Sequence, residues 1–336
     1  MAHYYRPIPM TDHARPANAL PLAGGWCWFT QAECLTRDGS LGLVPVADIP
    51  GDVLDTLTTP RAPIAGVGME APRLMGILNI TPDSFSDGGQ FADADSALAQ
   101  ARRLVDEGAD ILDIGGESTR PGAEFVPVAQ EVGRTAPVIA ALAGEIAAPI
   151  SIDTRKAGVA RAALQAGAGM LNDVSAGTYD AAMAQLAAEA GAPICLMHAQ
   201  GDPKTMQKKP SYDNVVLDVF DFLAERIAAV QAAGVALNRI VVDPGIGFGK
   251  TVNHNLTLLR NLSLFHGLGC PILLGASRKR FIGTIADVPD PMARAPGSIA
   301  VVLAGLAQGV QIMRVHDMTE TKQAIRLWQA AVGREA

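Results

Sequence analysis

A cation, an apolar spacer and an imidazole follow one another near the C-terminal end of the chain, as Arg314, Val315 and His316. They end an apolar run, Gly309–Val315. If that run is a β-strand, Arg314 and His316 point to the same side, because strand side chains alternate. An arginine fork beside a histidine suits phosphate oxygens. The spacing therefore predicts half of a phosphate-binding site.

Seven earlier apolar runs also end in polar residues that could bind a ligand. They end in Asn79, Asp113, Asp153, Asn172, His198, Asp243 and the group Ser277, Arg278 and Lys279. Eight strands whose carboxyl ends all carry such side chains are typical of a (β/α)8 TIM barrel, an α/β fold whose active site lies at that end. The pattern thus predicts the fold and the place of the site.

The order of elements along the chain supports a barrel. Predicted strands are Leu74–Asn79, Asp110–Ile114, Pro149–Asp153, Met170–Asp173, Pro193–Met197, Arg239–Asp243, Pro271–Gly275 and Gln311–Val315. Ala-rich amphipathic stretches separate them, among them Ala94–Glu107, Ala157–Ala166, Tyr179–Ala190 and Asn214–Ala233. This alternation predicts a parallel sheet. A doubly wound open sheet competes, but no Gly-x-Gly-x-x-Gly follows the first strand.

The first part of the chain has a different character. Asp38 and Gly39 predict a hairpin turn between short strands, roughly Cys27–Leu35 and Leu41–Val46. Prolines at 60 and 63 then mark a linker. We predict an N-terminal extension over residues 1–70 and a catalytic barrel over residues 71–336. The extension carries no functional signal.

Composition excludes several classes of function. The chain has 336 residues, 49% of them hydrophobic and 18% charged, which indicates a globular protein with a large core. Its formal charge of −7 gives no reason to bind nucleic acid. Four cysteines without a Cys-x-x-Cys pair predict buried free thiols in a reducing compartment. We expect a soluble, cytoplasmic protein, because the N-terminus lacks the apolar core of a signal peptide and no apolar run is long enough for a membrane.

The loops after the first two strands are rich in turn-forming residues. The first, Asn79–Gly89, holds a single aromatic residue, Phe85, which suits a loop that closes over a substrate as well as an ordinary surface loop. The second, Gly115–Gly122, contains Thr119 and Arg120, which could contact an anion or stay solvated.

Acids and amides end four strands: Asp113, Asp153, Asn172 and Asp243. Each alone could cap a helix. Together in one barrel mouth they suit a flat heterocycle with several N–H donors, and Lys279 is the only large cation expected near them.

The strand ends also bear on metal and base chemistry. The sequence has no cluster of Cys and His residues that would indicate a zinc site. The hard amide oxygen of Asn79 instead suits Mg²⁺ that bridges phosphates. His198 could be a base or a packed, hydrogen-bonded barrel histidine.

The chain resembles the dihydropteroate synthases, folate-pathway enzymes that join a pterin to p-aminobenzoate. The resemblance runs from about Leu74 to Trp328 and leaves out residues 1–70. It lies in Gly76–Gly89, Gly116–Gly122, Ser151–Thr154, Leu171–Asp173, Leu196–His198, Asp243–Lys250, Ser277–Lys279 and Arg314–Asp317, one segment per strand in order. The chain departs mildly from the pattern of this family at Ala199 and at Ala295-Pro296. Neither departure removes a residue named for the site.

The resemblance implies roles for particular residues. A pterin pocket would be lined by Asp113, Asp153, Asn172, Asp243 and Lys279. Diphosphate and its Mg²⁺ would be held by Asn79, Thr119, Arg314 and His316, with Asn79 as the metal ligand. p-Aminobenzoate would be framed by Phe85, Thr119, Arg120, Pro121, Phe248, Ser277 and Lys279. Lys279, Arg314, His316 and Asp153 would carry the catalysis, and a homodimer through barrel helices is implied.

The same residues suit an SN1-like reaction. A carbon that loses diphosphate needs the leaving group stabilised, its positive charge dispersed and water excluded. The attacking aromatic amine is neutral and needs no strong base, in keeping with the lack of a clear nucleophile–base pair. Two rivals are a pterin-binding methyltransferase barrel, which would not need the Arg314/His316 pair, and a catalytically silent pterin-binding paralogue, against which the loops argue.

Overall fold

The computed structural model of the chain describes residues 2–80, 90–118, 124–201, 206 and 208–333. Its N-terminal elements are β1 (Tyr4–Pro7), β2 (Leu20–Pro21), β3 (Trp28–Phe29), β4 (Gln31–Thr36), β5 (Gly39–Pro45), a 3-10 helix (Val46–Asp48) and α1 (Gly51–Thr58). Strands β1, β4 and β5 form a small antiparallel sheet, and β2 pairs with β3. The extension is therefore a folded part of the molecule.

Eight parallel strands follow and form the central sheet. They are β6 (Arg73–Asn79), β7 (Ile111–Gly115), β8 (Ile150–Asp153), β9 (Met170–Asp173), β10 (Ile194–Met197), β11 (Ile240–Asp243), β12 (Leu273–Leu274) and β13 (Ile312–Val315). The spatial order is β11-β10-β9-β8-β7-β6-β13-β12. The ring closes where Val242 bridges to Ile272 and its N–H donates to Pro271 O at 3.0 Å. The predicted (β/α)8 barrel is confirmed and the open sheet is rejected.

Helices surround the barrel in the order expected for this fold. They are α2 (Gln90–Asp106), α3 (Val128–Leu142), α4 (Ala157–Ala166), α5 (Ala182–Ala190), α6 (Val215–Ala232), α7 (Val252–Arg260), α8 (Arg280–Ala286), α9 (Ala295–Leu306) and α10 (Met318–Ala331), with 3-10 helices at Leu237–Arg239, Leu262–Leu268 and Pro291–Arg294. Gly167 and Gly191 end α4 and α5 in the left-handed region, at φ of 114° and 62°. None of the helices in the described ranges is both long and apolar enough to cross a bilayer.

Most predicted bounds agree with the observed ones to within a few residues, and two differences have clear causes. Helix α5 begins at Ala182 rather than Tyr179, because the carboxylate of Asp180 accepts from the N–H groups of Ala182 and Ala157 and so ends the preceding turn. Strand β12 is shorter than the predicted Pro271–Gly275 run. At its start Pro271 has no N–H to donate, and the Ile272 N–H donates to the Gln311 side chain at 2.9 Å.

The predicted N-terminal hairpin is right in place and wrong in detail. Its two strands are β4 and β5, and the turn residues are Arg37 and Asp38, with Gly39 already paired to Thr36. The first predicted strand began too early, because Trp28–Phe29 pairs with Leu20–Pro21 instead.

The lower end of the barrel is filled by apolar side chains. Residues Met75, Ile111, Met170, Cys195, Val241, Leu273 and Ile312 point inward from seven strands and form one cluster. Ile64 and Met69 join this cluster from a tight turn in which Ile64 and Val67 exchange backbone hydrogen bonds of 2.9 Å. The turn closes the bottom of the barrel, so the open end is the opposite one.

The remainder of the extension packs on the outside of the barrel. Nε1 of Trp26 donates to Leu306 O at the end of α9, 2.8 Å away. The buried guanidinium of Arg61 donates to His266 O, also at 2.8 Å. Arg37 forms ion pairs with Asp218 and Asp221 of α6. All four cysteines are buried free thiols, as predicted.

Candidate active site

Alternation along the strands delivers the polar side chains to the barrel mouth. Strand side chains point to the same face every second residue. Asp113, Asn172, Asp243 and Arg314 each lie two positions after a member of the inward apolar cluster, namely Ile111, Met170, Val241 and Ile312. The polar residues therefore form the ring directly above the apolar one.

Arg314 links two carboxylates of this ring. Its Nε donates to Oδ2 of Asp113 at 2.6 Å, and its Nη2 donates to Oδ2 of Asp153 at 2.7 Å. Asn172 Nδ2 donates to the same Asp113 oxygen at 3.1 Å. The expectation that Lys279 would be the only large cation near the acids is therefore wrong: Arg314, on the inward face of β13, reaches them first.

Each of these two acids retains an unsatisfied oxygen. Oδ1 of Asp113 and Oδ1 of Asp153 are buried and have no hydrogen-bond partner among the described residues. A buried acceptor of this kind is costly unless a donor arrives. Gly275 lies on another side of the same group, where a Cβ would be 3.6 Å from Asp243 Oδ2 and 3.8 Å from Arg314 Cδ. The arrangement suits a flat ligand with N–H donors.

Burial and charge together set the protonation of this group. Burial raises the pKa of Asp153 to about 7, with Arg314 opposing the shift and the nearby Asp113 carboxylate adding to it. Burial alone would lower the pKa of Arg314, but Asp113 and Asp153 raise it above its ordinary value. The guanidinium stays charged, and the raised pKa allows Asp153 to take up a proton near neutral pH.

Asp243 and Lys279 are a second acid and cation of the mouth, and each influences the pKa of the other. Burial raises the pKa of Asp243 and lowers that of Lys279 to about 8, while their mutual attraction opposes both shifts. Asp243 Oδ1 accepts from the N–H of Gly245 at 2.7 Å. The Lys279 ammonium donates to Ile246 O and lies 4.5 Å from the centre of the Phe248 ring. The Gly245–Phe248 loop therefore fixes the lysine head.

Ser277 and His316 meet at the ends of the last two strands. His316 Nδ1 lies 3.0 Å from Ser277 Oγ, and the His316 N–H donates to the same oxygen at 3.2 Å. Arg278, between Ser277 and Lys279, turns away and pairs with Asp317, and its φ of 58° is unusual for a residue with a side chain. Of the three residues predicted to end strand β12, only Ser277 and Lys279 face the mouth residues.

Asn79 ends β6 beside Gly115. A Cβ on Gly115 would lie 3.5 Å from Asn79 Oδ1 and 3.5 Å from Asp153 Cβ, so the glycine leaves a small open space between an amide oxygen and an acid. In the described ranges no group of three or more His, Cys, Asp or Glu side chains could hold a metal by itself. A single amide oxygen suits Mg²⁺, which keeps most of its waters and uses phosphate oxygens as further ligands.

A buried ion cluster behind the second loop was not predicted from the sequence. Lys156 Nζ lies 2.9 Å from Glu117 Oε1 and 2.6 Å from Glu131 Oε2, and donates to Val126 O at 2.5 Å. Glu117 also accepts from the Val126 N–H at 2.9 Å. The cluster joins the two ends of the Glu117–Val126 segment, and Thr154, next to Asp153, donates to Glu131 at 2.7 Å. Its members lie up to 39 positions apart, so no local pattern reveals it.

His198 is not in the mouth. It follows the inward-facing Met197, so it points to the outside of the strand wall, where its ring packs on Phe222 of α6 at 4.8 Å. Nδ1 lies 2.8 Å from Lys250 Nζ. Of the two interpretations of His198, the structure shows the packed, hydrogen-bonded histidine.

Four residues of the predicted site lie outside the described residues. They are Phe85 in the first loop and Thr119, Arg120 and Pro121 in the second. Their place in the site stays a prediction.

Comparison with known proteins gives a consistent result. The family described as pterin binding enzyme matches residues 75–316. A dihydropteroate synthase of Neisseria meningitidis serogroup C is 48% identical over 267 residues, which are 79% of this chain and 94% of that protein. The enzyme of Escherichia coli K12 is 45% identical over 78% of this chain and 92% of its own length.

Solved structures agree with this result. Xanthomonas albilineans dihydropteroate synthase with 4-aminobenzoic acid has a TM-score of 0.77 and 46% identity, covering 82% of this chain and 98% of that one. A Yersinia pestis dihydropteroate synthase with a sulfonamide drug complex has a TM-score of 0.75 and 44% identity over 79% and 96% of the two chains. These proteins match nearly end to end, so most of the unmatched length belongs to this chain.

Proposed function

The chain belongs to the pterin-binding enzyme family, within it to the dihydropteroate synthases, and we propose that its mouth residues perform that reaction in the way set out below. The reaction joins (7,8-dihydropterin-6-yl)methyl diphosphate to p-aminobenzoate and yields 7,8-dihydropteroate and diphosphate. Relatives of known structure hold 4-aminobenzoic acid in one case and 7,8-dihydropteroate in another.

The pterin is bound by Asp113, Asp153, Asn172, Asp243 and Lys279. The free Oδ1 atoms of Asp113 and Asp153 accept from the N–H groups of the heterocycle, which removes the cost of leaving them unpaired. Three carboxylates face two cations in this mouth, so positive charge that develops on the pterin is stabilised.

The diphosphate lies towards Asn79, Arg314 and His316, with Thr119 as a further contact. His316 is next to Ser277 at the loop ends after β12 and β13, where barrel enzymes commonly bind phosphate. Mg²⁺ fits beside Asn79, which would hold it through the amide oxygen, and when bound it would neutralise charge on the leaving group.

p-Aminobenzoate is framed by Phe248, Ser277 and Lys279, together with Phe85, Thr119, Arg120 and Pro121. The Lys279 ammonium over the Phe248 ring supplies a cation for the carboxylate beside an apolar surface for the aromatic ring.

Bond breaking precedes bond making in this mechanism. The carbon–diphosphate bond breaks as Arg314 and His316 stabilise the leaving group. The facing acids then stabilise the cation until the nitrogen of p-aminobenzoate forms the new carbon–nitrogen bond, and the proton that this nitrogen loses passes to the released diphosphate or to solvent. No strong base is required, and His198, which faces α6, takes no part in proton transfer.

The domain organisation and assembly extend this proposal. Residues 71–336 carry the catalytic barrel, and residues 1–70 are an N-terminal extension whose last turn contributes Ile64 and Met69 to the barrel floor. Helix α9 has no charged residue and exposes Pro296, Ala300 and Ala304, a surface that suits a homodimer. The buried free cysteines suit the cytoplasm.

The arrangement of Arg314 between Asp113 and Asp153, with one free oxygen on each acid, carries the proposal. A turnover assay with purified protein, the pterin diphosphate, p-aminobenzoate and Mg²⁺ tests it, with product identified by mass spectrometry. The control is Asp113→Asn, which keeps the shape but removes the charge. Lack of dihydropteroate formation by the folded wild-type protein would reject the function, and full activity in the variant would reject the pterin site.

A further inference from the structure

Lys250 and His198 form a buried polar pair outside the mouth. Lys250 is 3% exposed and His198 is 6% exposed. Lys250 Nζ lies 2.8 Å from His198 Nδ1, 3.0 Å from Phe248 O and 3.4 Å from His198 O. A protonated lysine has three donors and no acceptor, which matches these three contacts in number.

The pair is built from a neutral imidazole. Burial and the nearby Lys250 lower the pKa of His198 to about 2, and burial lowers the pKa of Lys250 well below its ordinary value. In the tautomer that carries its proton on Nε2, Nδ1 of the uncharged ring accepts from Lys250. The rings of Phe222 and Tyr212 pack on the His198 ring, with distances of 4.8 and 5.9 Å between ring centres. Neither substrate therefore reaches the imidazole from this side.

The pair lies at the root of the Asp243–Lys250 loop. Gly245 and Gly249 have φ of 70° and 61°, and a Cβ on either would collide with backbone oxygen, that of His198 in the first case and that of Gln200 in the second. The backbone of the loop therefore packs closely against the residues that follow β10, and this packing restricts the position of the loop.

The other side of the same loop meets Lys279. Ile246 O accepts from the Lys279 ammonium, and a Cβ on Gly247 would lie 3.0 Å from Lys279 Cδ. Phe248 contacts both lysines: its ring is 4.5 Å from Lys279 Nζ, and its carbonyl accepts from Lys250. A continuous line of contacts runs from His198 through Lys250 and Phe248 to Lys279.

We propose that His198 and Lys250 are positioning residues, which hold the Asp243–Lys250 loop so that Ile246 O and the Phe248 ring fix the Lys279 ammonium for p-aminobenzoate. They act through Lys279 and touch neither substrate. The identity of the substrate rests on the proposed function, but the placing of Lys279 does not.

Kinetics with matched variants provide the first test. His198→Leu and Lys250→Met remove the contact, and His198→Asn keeps an acceptor where Nδ1 lies. We expect the first two to raise KM for p-aminobenzoate about tenfold or more, as small misplacements at a site do. The dissociation constant of the pterin diphosphate should change much less, and His198→Asn should restore KM.

A double variant keeps the test valid if the single ones fold poorly. His198→Leu/Lys250→Met removes both polar partners, which is often close to neutral for stability, whereas one partner alone leaves a buried group unpaired. The double variant should be at least as stable as either single one and should still show the raised KM. A wild-type KM for p-aminobenzoate in the folded double variant would overturn the proposal. It would also be overturned if the affinities for both substrates fell together, in proportion to the loss in free energy of unfolding.

A second measurement needs no substrate. The chain has seven lysines, so the Lys279 signal can be assigned by NMR of protein with ¹³C at lysine Cε, using Lys279→Arg. Its shift and titration midpoint should change in His198→Leu and Lys250→Met and return in His198→Asn. An unchanged Lys279 signal in all variants would overturn the positioning role. Lack of turnover by the wild-type protein would instead count against the proposed function alone.

Discussion

Arg314 Nη2 lies 2.7 Å from Asp153 Oδ2, which joins the cation of the last barrel strand to the acid that ends β8, three strands away in the sheet. The same guanidinium holds Asp113. The residue predicted as one arm of a phosphate site therefore also supports the acids proposed to bind the pterin. Arg314 would thus connect the proposed pterin and diphosphate parts of the site, while His316 contacts Ser277.

This difference between Arg314 and His316 gives the first prediction. Arg314→Met should weaken binding of both the pterin diphosphate and a pterin without phosphates, because Asp113 and Asp153 lose their cation. His316→Ala should weaken only the diphosphate ligand. Calorimetry with the two ligands measures both effects. If Arg314→Met leaves affinity for the phosphate-free pterin intact, the guanidinium serves the diphosphate alone and the acids do not need it.

The pH dependence of kcat/KM provides the second prediction. The pKa of Asp153 is raised to about 7, so its carboxylate is lost as pH falls below that value. The pKa of Lys279 is lowered to about 8, so its ammonium is lost as pH rises above that value. Activity that needs both charges should be highest between these two values, with limbs that belong to the coupled groups.

Two variants assign the limbs of that profile. Asp153→Asn should reduce activity and remove the acidic limb near pH 7, and Lys279→Arg should move the alkaline limb upward because arginine stays charged. An unchanged acidic limb in Asp153→Asn would mean that another group, such as Asp243, titrates there.

The sequence predicted the barrel and its mouth because both follow local rules. A polar residue two positions after an inward apolar one must lie in the mouth, which holds for Asp113, Asn172, Asp243 and Arg314. The same rule excludes His198 from the mouth, because His198 is one position away from the inward-facing positions of its strand. The contacts among these side chains depend on the closed ring, so Arg314 between Asp113 and Asp153 was missed.

Other parts of the site depend on long-range contacts that no local pattern reveals. Lys156 meets Glu117 across 39 positions, and Lys250 meets His198 across 52. The lysine head of Lys279 is held by a backbone oxygen, Ile246 O, which any residue type could supply. These features require the folded structure.

The ion cluster behind the second loop gives the third prediction. Lys156→Met leaves Glu117 and Glu131 buried without their shared cation and should cost about 3–5 kcal/mol of unfolding free energy. Denaturant titration measures the loss. Arg103→Met, which removes an exposed pair with Glu107, is the matched control and should leave the unfolding midpoint unchanged. Equal midpoints for both variants would mean that the cluster adds nothing to stability.

The extension gives the fourth prediction. Removal of residues 1–62 takes away Trp26 and Arg61, which contact Leu306 O and His266 O, but keeps Ile64 and Met69 in the barrel floor. Stability should fall, because buried aromatic surface is lost. Pterin binding should persist, because the described mouth residues come later in the chain.

A second truncation separates the two roles of this region. Removal of residues 1–70 also deletes Ile64 and Met69 and opens the apolar floor of Met75, Ile111 and Ile312 to water. That protein should aggregate or fail to fold, since a cavity among such side chains costs several kcal/mol. Circular dichroism and calorimetry with the pterin compare the two truncations. If the shorter truncation folds yet does not bind pterin, the extension contributes to the site. If the longer one is as stable as the shorter, the turn at Ile64 does not close the barrel in solution.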